Sequence, residues 1–496
     1  MTYHERISTS AREFLERKHG MLIGGKSVES RSGKRTDIID PGTGDVIATV
    51  AEGDASDVDA AVAAARRAFE GEWSKVKPNQ RARMLFKYAD LVEANADELA
   101  QLESINTGKP LQFCRNGDIP NVAEMLRYMG GWATKINGNA PQLSIPGEWV
   151  AYTLREPVGV VGGILPWNFP LNLFSWKVAP AIAAGCTIVI KPAEQTPLTA
   201  LRMAELALEA GIPEGVLNIV TGYGDPVGAA IAQHPDIDKV SFTGSTATGK
   251  RIVHDATGNL KRVTLELGGK SPVFVFPDAD LEMAAAGVAR AIFFHAGQVC
   301  AAGSRLFAHE SIQEELVARV GAIAGNMKVG YGLDDGNDLG PVISEKQLER
   351  VLGYLDAGQE QGATVHTGGK RVGDRGYFVQ PTILTGTRPG MSVVDEEIFG
   401  PVLSVQSFKD EDIDALAARA NATQYGLSAS VWTTDLRIAH KMARRIKSGA
   451  VGVNVHSAPD VTLPYGGFKQ SGWGRERAFE VIEAYTEVKA VTLNLN

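Results

Sequence analysis

Apolar and polar positions divide the chain into stretches of different rhythm. From Asp54 to Ala68 the run DASDVDAAVAAARRA carries apolar residues at helical spacing behind an acidic start, and NQRARMLFKYADLVEANADELAQLESINTGK continues that spacing through one or two further helices. Between Val158 and Val275 the rhythm shifts to short apolar runs separated by helical segments: VGVVGGIL, CTIVIKP, GVLNIVTG, KVSFTGS and RVTLELGG. Strands that are apolar on both faces, alternating with helices, predict a parallel sheet covered on both sides, with ligands at the carboxyl ends of its strands. A second alternating series runs from Ser271 to about Pro464, through VFVF, SRLFAHE, GATVHTGG, YFVQPTIL, PVLSVQSF, LSASVWT and AVGVNVH, with the helix SIQEELVARVGAIAG among them. Two α/β units in series are therefore expected. Around residues 138–157 helical periodicity fails and the proline-flanked chain reads as extended, as does the carboxyl-terminal YTEVKAVTLNLN, so the two are expected to form a projecting arm.

Composition narrows this picture. At 496 residues and 44% hydrophobic content, the chain exceeds the roughly 250–300 residues at which single cores stop growing, so more than one domain is expected. Its formal net charge is -8 and its basic residues are spread out, so nucleic acid is not an expected partner. The amino-terminal residues place charges where a signal peptide needs an apolar core, and no run approaches the ~18 apolar residues of a membrane span. A cytoplasmic protein with no membrane partner is the expectation. Three cysteines, Cys114, Cys186 and Cys300, are too few for a disulfide framework and too scattered for zinc, so no metal is expected.

Candidate chemistry centres on two segments. FFHAGQVCAAGSR sets Cys300 after a Gly-Gln turn and before small residues, which leaves the sulfur approachable. A lone cysteine is ordinarily a small buried hydrophobe; a reactive one needs an environment that yields the thiolate, or a base nearby. VTLELGGKSP ends an apolar strand on Glu266, which can be a helix cap, a salt-bridge partner or a catalytic base.

These two segments resemble the glutamate and cysteine signatures of the aldehyde dehydrogenase superfamily, and the resemblance covers nearly the whole chain. PWNFP (Pro166–Pro170), KPAEQTP (Lys191–Pro197), SFTGSTATG (Ser241–Gly249), EEIFGPV (Glu396–Val402) and PYGGFKQSG (Pro464–Gly472) resemble further family motifs in the expected order. The resemblance implies that Cys300 attacks an aldehyde and that Asn168, with the Cys300 backbone N–H, stabilises the oxyanion. It implies that Glu266 activates the water that hydrolyses the thioester, and that Lys177 assists a proton path. Relatives that transfer the acyl group to coenzyme A generally lack this glutamate, so a free acid is the expected product. A coenzyme A-acylating enzyme, or a non-catalytic use of the scaffold, is the alternative.

The resemblance also implies NAD as cofactor. The Rossmann fingerprint GxGxxG is absent after the first strand. In its place Gly244, Ser245 and Gly249 are expected to hold the pyrophosphate at a helix start. Lys191 and Glu194 are expected at the adenosine ribose, where an acidic side chain disfavours NADP; Glu397 and Phe399 are expected at the nicotinamide ribose and ring, and Trp167 and Gly224 along the cofactor path. Phe169, Leu173, Trp176, Val299, Ala301, Pro459 and Tyr465 are the expected substrate residues. All are apolar or aromatic, which suits an uncharged, apolar aldehyde with an aromatic or medium aliphatic tail. The loop VNVHSAPDVTLPYGGFKQSG is similar to that of phenylacetaldehyde dehydrogenases, and His456 in it is a candidate substrate contact or a satisfied structural histidine. The expected architecture is α/β: a Rossmann-like cofactor domain (1–137 and 158–266), an α/β catalytic domain (267–469), a small β oligomerisation arm (138–157 and 485–496), and a helix over 470–484 returning to the cofactor domain. The exposed edges of the arm imply a homodimer or homotetramer.

Overall fold

The computed structural model describes residues 3–410, 412–458 and 460–496. The first predicted helix spans Ala55–Glu70. It begins there because the Asp54 carboxylate accepts from the N–H groups of Ser56 and Asp57, while the Asp57 side chain accepts from the Asp54 N–H in return. The next helical stretch is two helices, Pro78–Ala94 and Ala96–Thr107, separated at Asn95. The second of them stops at Gly108, whose φ of 79° is the left-handed geometry that glycine adopts freely.

The strands fall into two large sheets. The first has the order Lys26–Val28, Met21–Ile23, Leu217–Ile219, Thr187–Lys191, Val160–Ile164, Lys239–Thr243, Arg262–Glu266 and Gly472–Trp473. Its five central strands are parallel. Since Val160–Ile164 comes first in the chain and lies between Thr187–Lys191 and Lys239–Thr243, the connections leave it in opposite directions, and a ligand crevice opens at the carboxyl ends there. The second sheet has the order Thr364–Thr367, Thr382–Thr385, Val402–Phe408, Arg305–His309, Pro272–Val275, Ser428–Trp432 and Ala450–Val453. Only its Thr364–Thr367 edge is antiparallel. The alternating pattern thus marks two Rossmann-like α/β units. The sequence pattern missed the amino-terminal hairpin that extends the first sheet, since its strands are only three residues each.

Residues 470–484 correct an expectation. They do not form one helix: a 3-10 turn covers Lys469–Ser471, Gly472–Trp473 pairs antiparallel with Arg262–Glu266, and the α-helix spans Glu480–Ala484 alone among these described residues. Gly472, at φ 120°, and Gly474, at φ 87°, hold backbone that a helix cannot contain. Beyond them Trp149–Pro157 pairs with Thr486–Asn494 over nine residues as a separate two-stranded ribbon. Val150, Tyr152, Leu154, Val488 and Leu493 on this ribbon are exposed. Among the described residues no helix is long and apolar enough to cross a membrane.

Candidate active site

The carboxyl edge of the first sheet faces the amino edge of the second across a cavity of about 1170 Å³. The first sheet contributes the loop after Val160–Ile164, with Trp167, Asn168 and Phe169; the turn after Lys239–Thr243, with Gly244 and Ser245; and Glu266 at a strand end. The second contributes Val299, Cys300 and Ala301 ahead of Arg305–His309, together with Glu397 and Phe399. Residues more than a hundred positions apart therefore meet in one cleft.

Cys300 follows a tight turn in which His295, Ala296 and Gly297 all have positive φ, at 50°, 53° and 69°. The turn is pinned by Gln298, whose Oε1 accepts from the Ile343 N–H at 2.9 Å. Asn168 docks on the same residue, donating one amide hydrogen to the Gln298 carbonyl at 2.9 Å. A primary amide has two hydrogens, so this contact orients the group and leaves the other free. Among the described residues the Cys300 N–H makes no hydrogen bond either. Asn168 and Cys300, each with a donor to spare, thus line one cavity. The Tyr465 hydroxyl lies 3.1 Å from Sγ. Surrounding protein pushes the Cys300 thiol up to about 12, against which the Tyr465 hydrogen bond works, while the Glu397 and Glu266 carboxyls push it further up. Cys114 and Cys186 are fully buried and line no part of the cavity.

Glu266 is 4% exposed, and its Oε2 is buried without a hydrogen-bond partner. Burial raises its pKa well above the ordinary carboxylate range and Glu476 adds to the effect, opposed by Lys177, Arg475 and Arg477. Lys177 does not line the cavity. It lies behind it, ion-paired with Glu476 and donating to Thr243 Oγ1 at 2.8 Å and Ser241 Oγ at 3.2 Å. Lys177 is fully buried.

Close backbone approach explains the Gly268-Gly269 pair. A Cβ on Gly268 would overlap the Glu397 carboxylate, and one on Gly269 would overlap the Cys300 carbonyl. With both absent, the Gly269 N–H donates to Glu397 Oε1 at 2.8 Å. Burial raises Glu397 to about 7, with the Gly269 N–H holding it down from a still higher value. Gln347 and Arg350 grip the carbonyls of Phe399 and Glu397, at 2.8 and 2.6 Å, and the Phe399 ring meets Trp167 edge-on at 5.2 Å.

Helix Thr246–Asp255 starts at the cavity, where Ser245 caps it by accepting from the Thr248 N–H at 3.2 Å. Among the described residues the N–H groups of Thr246 and Ala247 have no acceptor, which leaves donors and the positive helix end for an anion. Gly249 is buried off the cavity, and a Cβ there would come within 2.6 Å of Leu267. Lys191, at the carboxyl end of the Thr187–Lys191 strand, faces Glu194 at 3.6 Å, and Gly224 lies beyond the Leu217–Ile219 strand. None of these three lines the cavity, although all follow carboxyl ends of the same sheet.

On the opposite side Phe169, Leu173, Trp176, Val299, Ala301 and Tyr465 do share the cavity. Pro459 lies outside the described residues. His456 lines the cavity, but its Nδ1 meets Ser430 Oγ at 2.9 Å and its Nε2 meets the Ala301 carbonyl at 2.7 Å, so it is structurally satisfied. The wall is not purely apolar, contrary to the sequence expectation, because Asp118, Asn172 and Arg477 also line it. Asp118 belongs to a buried cluster that periodicity did not reveal: Lys109 Nζ donates to it at 2.5 Å and Asn172 Nδ2 at 2.7 Å, with Glu103 3.9 Å from the same ammonium. Lys109 also sits 4.2 Å from the centre of the Phe169 ring, next in the chain to Asn168.

Two parallel-sheet α/β units thus meet at one cleft that brings Cys300 and Glu266 together with the start of helix Thr246–Asp255. The chain belongs to the aldehyde dehydrogenase family, whose model matches residues 27–491. It is similar to the phenylacetaldehyde dehydrogenase of Pseudomonas fluorescens, with 47% identity over 494 residues and 98% of each chain covered. It is likewise similar to aldehyde dehydrogenase family 2 member B4 of Arabidopsis thaliana, a mitochondrial protein, with 49% identity covering 96% of this chain and 88% of that one. Among solved structures, the NAD+ complex of an aldehyde dehydrogenase from Bacillus cereus superposes with a TM-score of 0.97 at 46% identity, covering 99% of both chains.

Proposed function

We propose that Cys300 is the nucleophile of this NAD-dependent aldehyde dehydrogenase, and that Glu266 directs its product to the free carboxylic acid by activating water. The observation that carries this reading is the meeting of four groups in one cavity: the Cys300 sulfur, its unbonded N–H, the second amide hydrogen of Asn168 and the partnerless Glu266 carboxyl. Addition of the sulfur to an aldehyde puts negative charge on the former carbonyl oxygen. The Cys300 N–H and Asn168 amide are fixed before that charge develops, so they stabilise it without reorganising. The resting thiol, raised to about 12, needs its proton removed at the moment of attack, and Tyr465 hydrogen-bonds the sulfur as it changes charge.

When bound, NAD would supply the hydride acceptor through which the thiohemiacetal becomes a thioester on Cys300. The donors at Thr246 and Ala247 fit its pyrophosphate, and Glu397, held by Gly269, fits a ribose. Glu194 disfavours a 2′-phosphate at the other ribose, which supports NAD over NADP. Glu266 then takes a proton from water as it attacks the thioester. The Lys177–Glu476 pair behind Glu266 offers that proton a route onward.

In this reading residues 1–137 and 158–266 bind cofactor, 267–469 carry the nucleophile, and the ribbon of 138–157 and 485–496 joins subunits. Its exposed apolar side chains support a homodimer or homotetramer. All three cysteines are free, as suits a reducing compartment, and the cytoplasm is the proposed location. The substrate-side rings support an aromatic aldehyde. NADH formation from phenylacetaldehyde, benzaldehyde, acetaldehyde and betaine aldehyde, with and without coenzyme A, tests the proposal. Oxidation of the aromatic pair without coenzyme A is expected; a requirement for coenzyme A would overturn the hydrolytic step, and a preference for betaine aldehyde the aromatic one.

A further inference from the structure

The GRER segment that follows the last strand of the first sheet carries a charge that the reaction does not use. Tyr465 and Glu476 exchange backbone hydrogen bonds at 2.8 and 2.7 Å, which places Arg477 directly beyond the Tyr465 ring. The Ala478 N–H donates to the Val461 carbonyl at 2.9 Å and fixes the next residue as well. The Arg477 guanidinium carbon lies 4.9 Å from the centre of the Trp176 ring and 5.0 Å from that of Tyr465, the ring whose hydroxyl touches the Cys300 sulfur.

Arg477 is 7% exposed, lines the cavity, and has a buried Nε with no hydrogen-bond partner. Among the described residues its side chain makes no hydrogen bond or ion pair at all. A guanidinium has five N–H donors, and burying it without acceptors is costly. No nearby carboxylate serves it. Glu476 gives one oxygen to Lys177 and Ser241 and leaves the other without a hydrogen-bond partner, reaching Arg477 through neither, and among the described residues Glu266 makes no hydrogen bond or ion pair to it. Asp460 is exposed and holds the N–H and hydroxyl of Thr462. Further along the same wall Arg290 is exposed and adds a second positive charge.

We infer that Arg477 receives an anionic oxygen group on the tail of the substrate, so that the preferred aldehyde is an aromatic or similarly apolar one with a carboxylate at its far end. The inference rests on the reading of Cys300 as nucleophile, since that fixes which end of the substrate faces the sulfur. An apolar middle suits Trp176, Phe169 and Leu173, and a planar carboxylate matches the guanidinium fork. The cation–π contacts orient the fork without using its in-plane donors, which leaves them for the substrate.

The matched pair 4-formylbenzoate and 4-methylbenzaldehyde separates this role from simple propping of the two rings. With the intact enzyme and saturating NAD, kcat/KM for 4-formylbenzoate is expected to exceed that for 4-methylbenzaldehyde by about tenfold or more, the scale of one charged hydrogen-bonded contact. Arg477→Met is expected to remove most of this ratio, chiefly by raising KM for 4-formylbenzoate. Arg477→Lys keeps the charge but loses the fork, so an intermediate ratio is expected, and this milder variant carries the test if Arg477→Met does not fold. A wild-type preference for 4-methylbenzaldehyde, or a ratio unchanged by both substitutions, would overturn the inference. Failure of the underlying reading looks different: Cys300→Ala would go on oxidising both compounds.

Discussion

Replacing Asn168 with alanine removes one amide from two jobs, and the structure separates their magnitudes. The first job is structural. Asn168 is 4% exposed and its Nδ2 meets the Gln298 carbonyl at 2.9 Å, so the variant strands a buried acceptor at a cost of about 1–3 kcal/mol in stability. The second job, in the proposed mechanism, is that of the remaining amide hydrogen as a donor to the developing oxyanion. Losing one preorganised donor of that kind raises the barrier by about 2.7–4 kcal/mol, which is a hundred- to thousandfold fall in rate. Because the charge exists only in the transition state, kcat and kcat/KM should fall together. The assay is NADH formation with an aromatic aldehyde, run beside denaturant unfolding of the same preparations. If kcat falls by less than about fivefold while the unfolding midpoint drops, Asn168 is an anchor for the cysteine turn and its place in the oxyanion site is refuted.

Glu266→Gln should release one NADH per chain and then stall, because addition and hydride transfer precede the step that needs the base; rapid-mixing absorbance reads the burst. Burial raises the Glu266 carboxyl, so its basic form, and with it steady-state turnover, should increase as pH climbs through that raised value, and the limb should vanish in the variant. Gly269→Ala forces a methyl into the Cys300 carbonyl, and loss of activity with retained far-ultraviolet circular dichroism is expected. Lys109→Met leaves the Asp118 carboxylate buried without its cation, a change expected to cost about 3–5 kcal/mol in chemical denaturation. Burial also raises Glu103 above its unfolded value. Its contribution to stability is therefore complete at low pH and lost as pH rises through the raised pKa, so Glu103→Gln should flatten the fall of the unfolding midpoint with pH.

Much of the fold was legible because its strands are covered on both faces. Val160–Ile164, Thr187–Lys191 and Lys239–Thr243 are buried at every position, so continuous apolar runs marked them without ambiguity. The cysteine, glutamate and asparagine segments were readable as motifs, but their mutual contacts were not. The Asn168 bond to Gln298 spans 130 positions, and the Lys177 pairing with Glu476 spans 299, distances over which no local period carries information. Arg477 was missed for a related reason. A charged run such as GRER ordinarily reads as solvated surface, and only the tertiary placement of Trp176 and Tyr465 beside it shows a buried cation. Lys109 and Asp118 were hidden likewise, since two charges in separate segments reveal their pairing only after burial.

A covalent acyl group that passes through Cys300 can be trapped there. Glu266→Gln mixed with NAD and 4-methylbenzaldehyde, quenched and digested, should yield the 4-methylbenzoyl mass on the peptide containing Cys300, in equal number to the NADH formed. Peptides with the fully buried Cys114 and Cys186 should stay unmodified. NADH formation with no acyl mass on Cys300, or undiminished turnover by Cys300→Ala, would contradict the account.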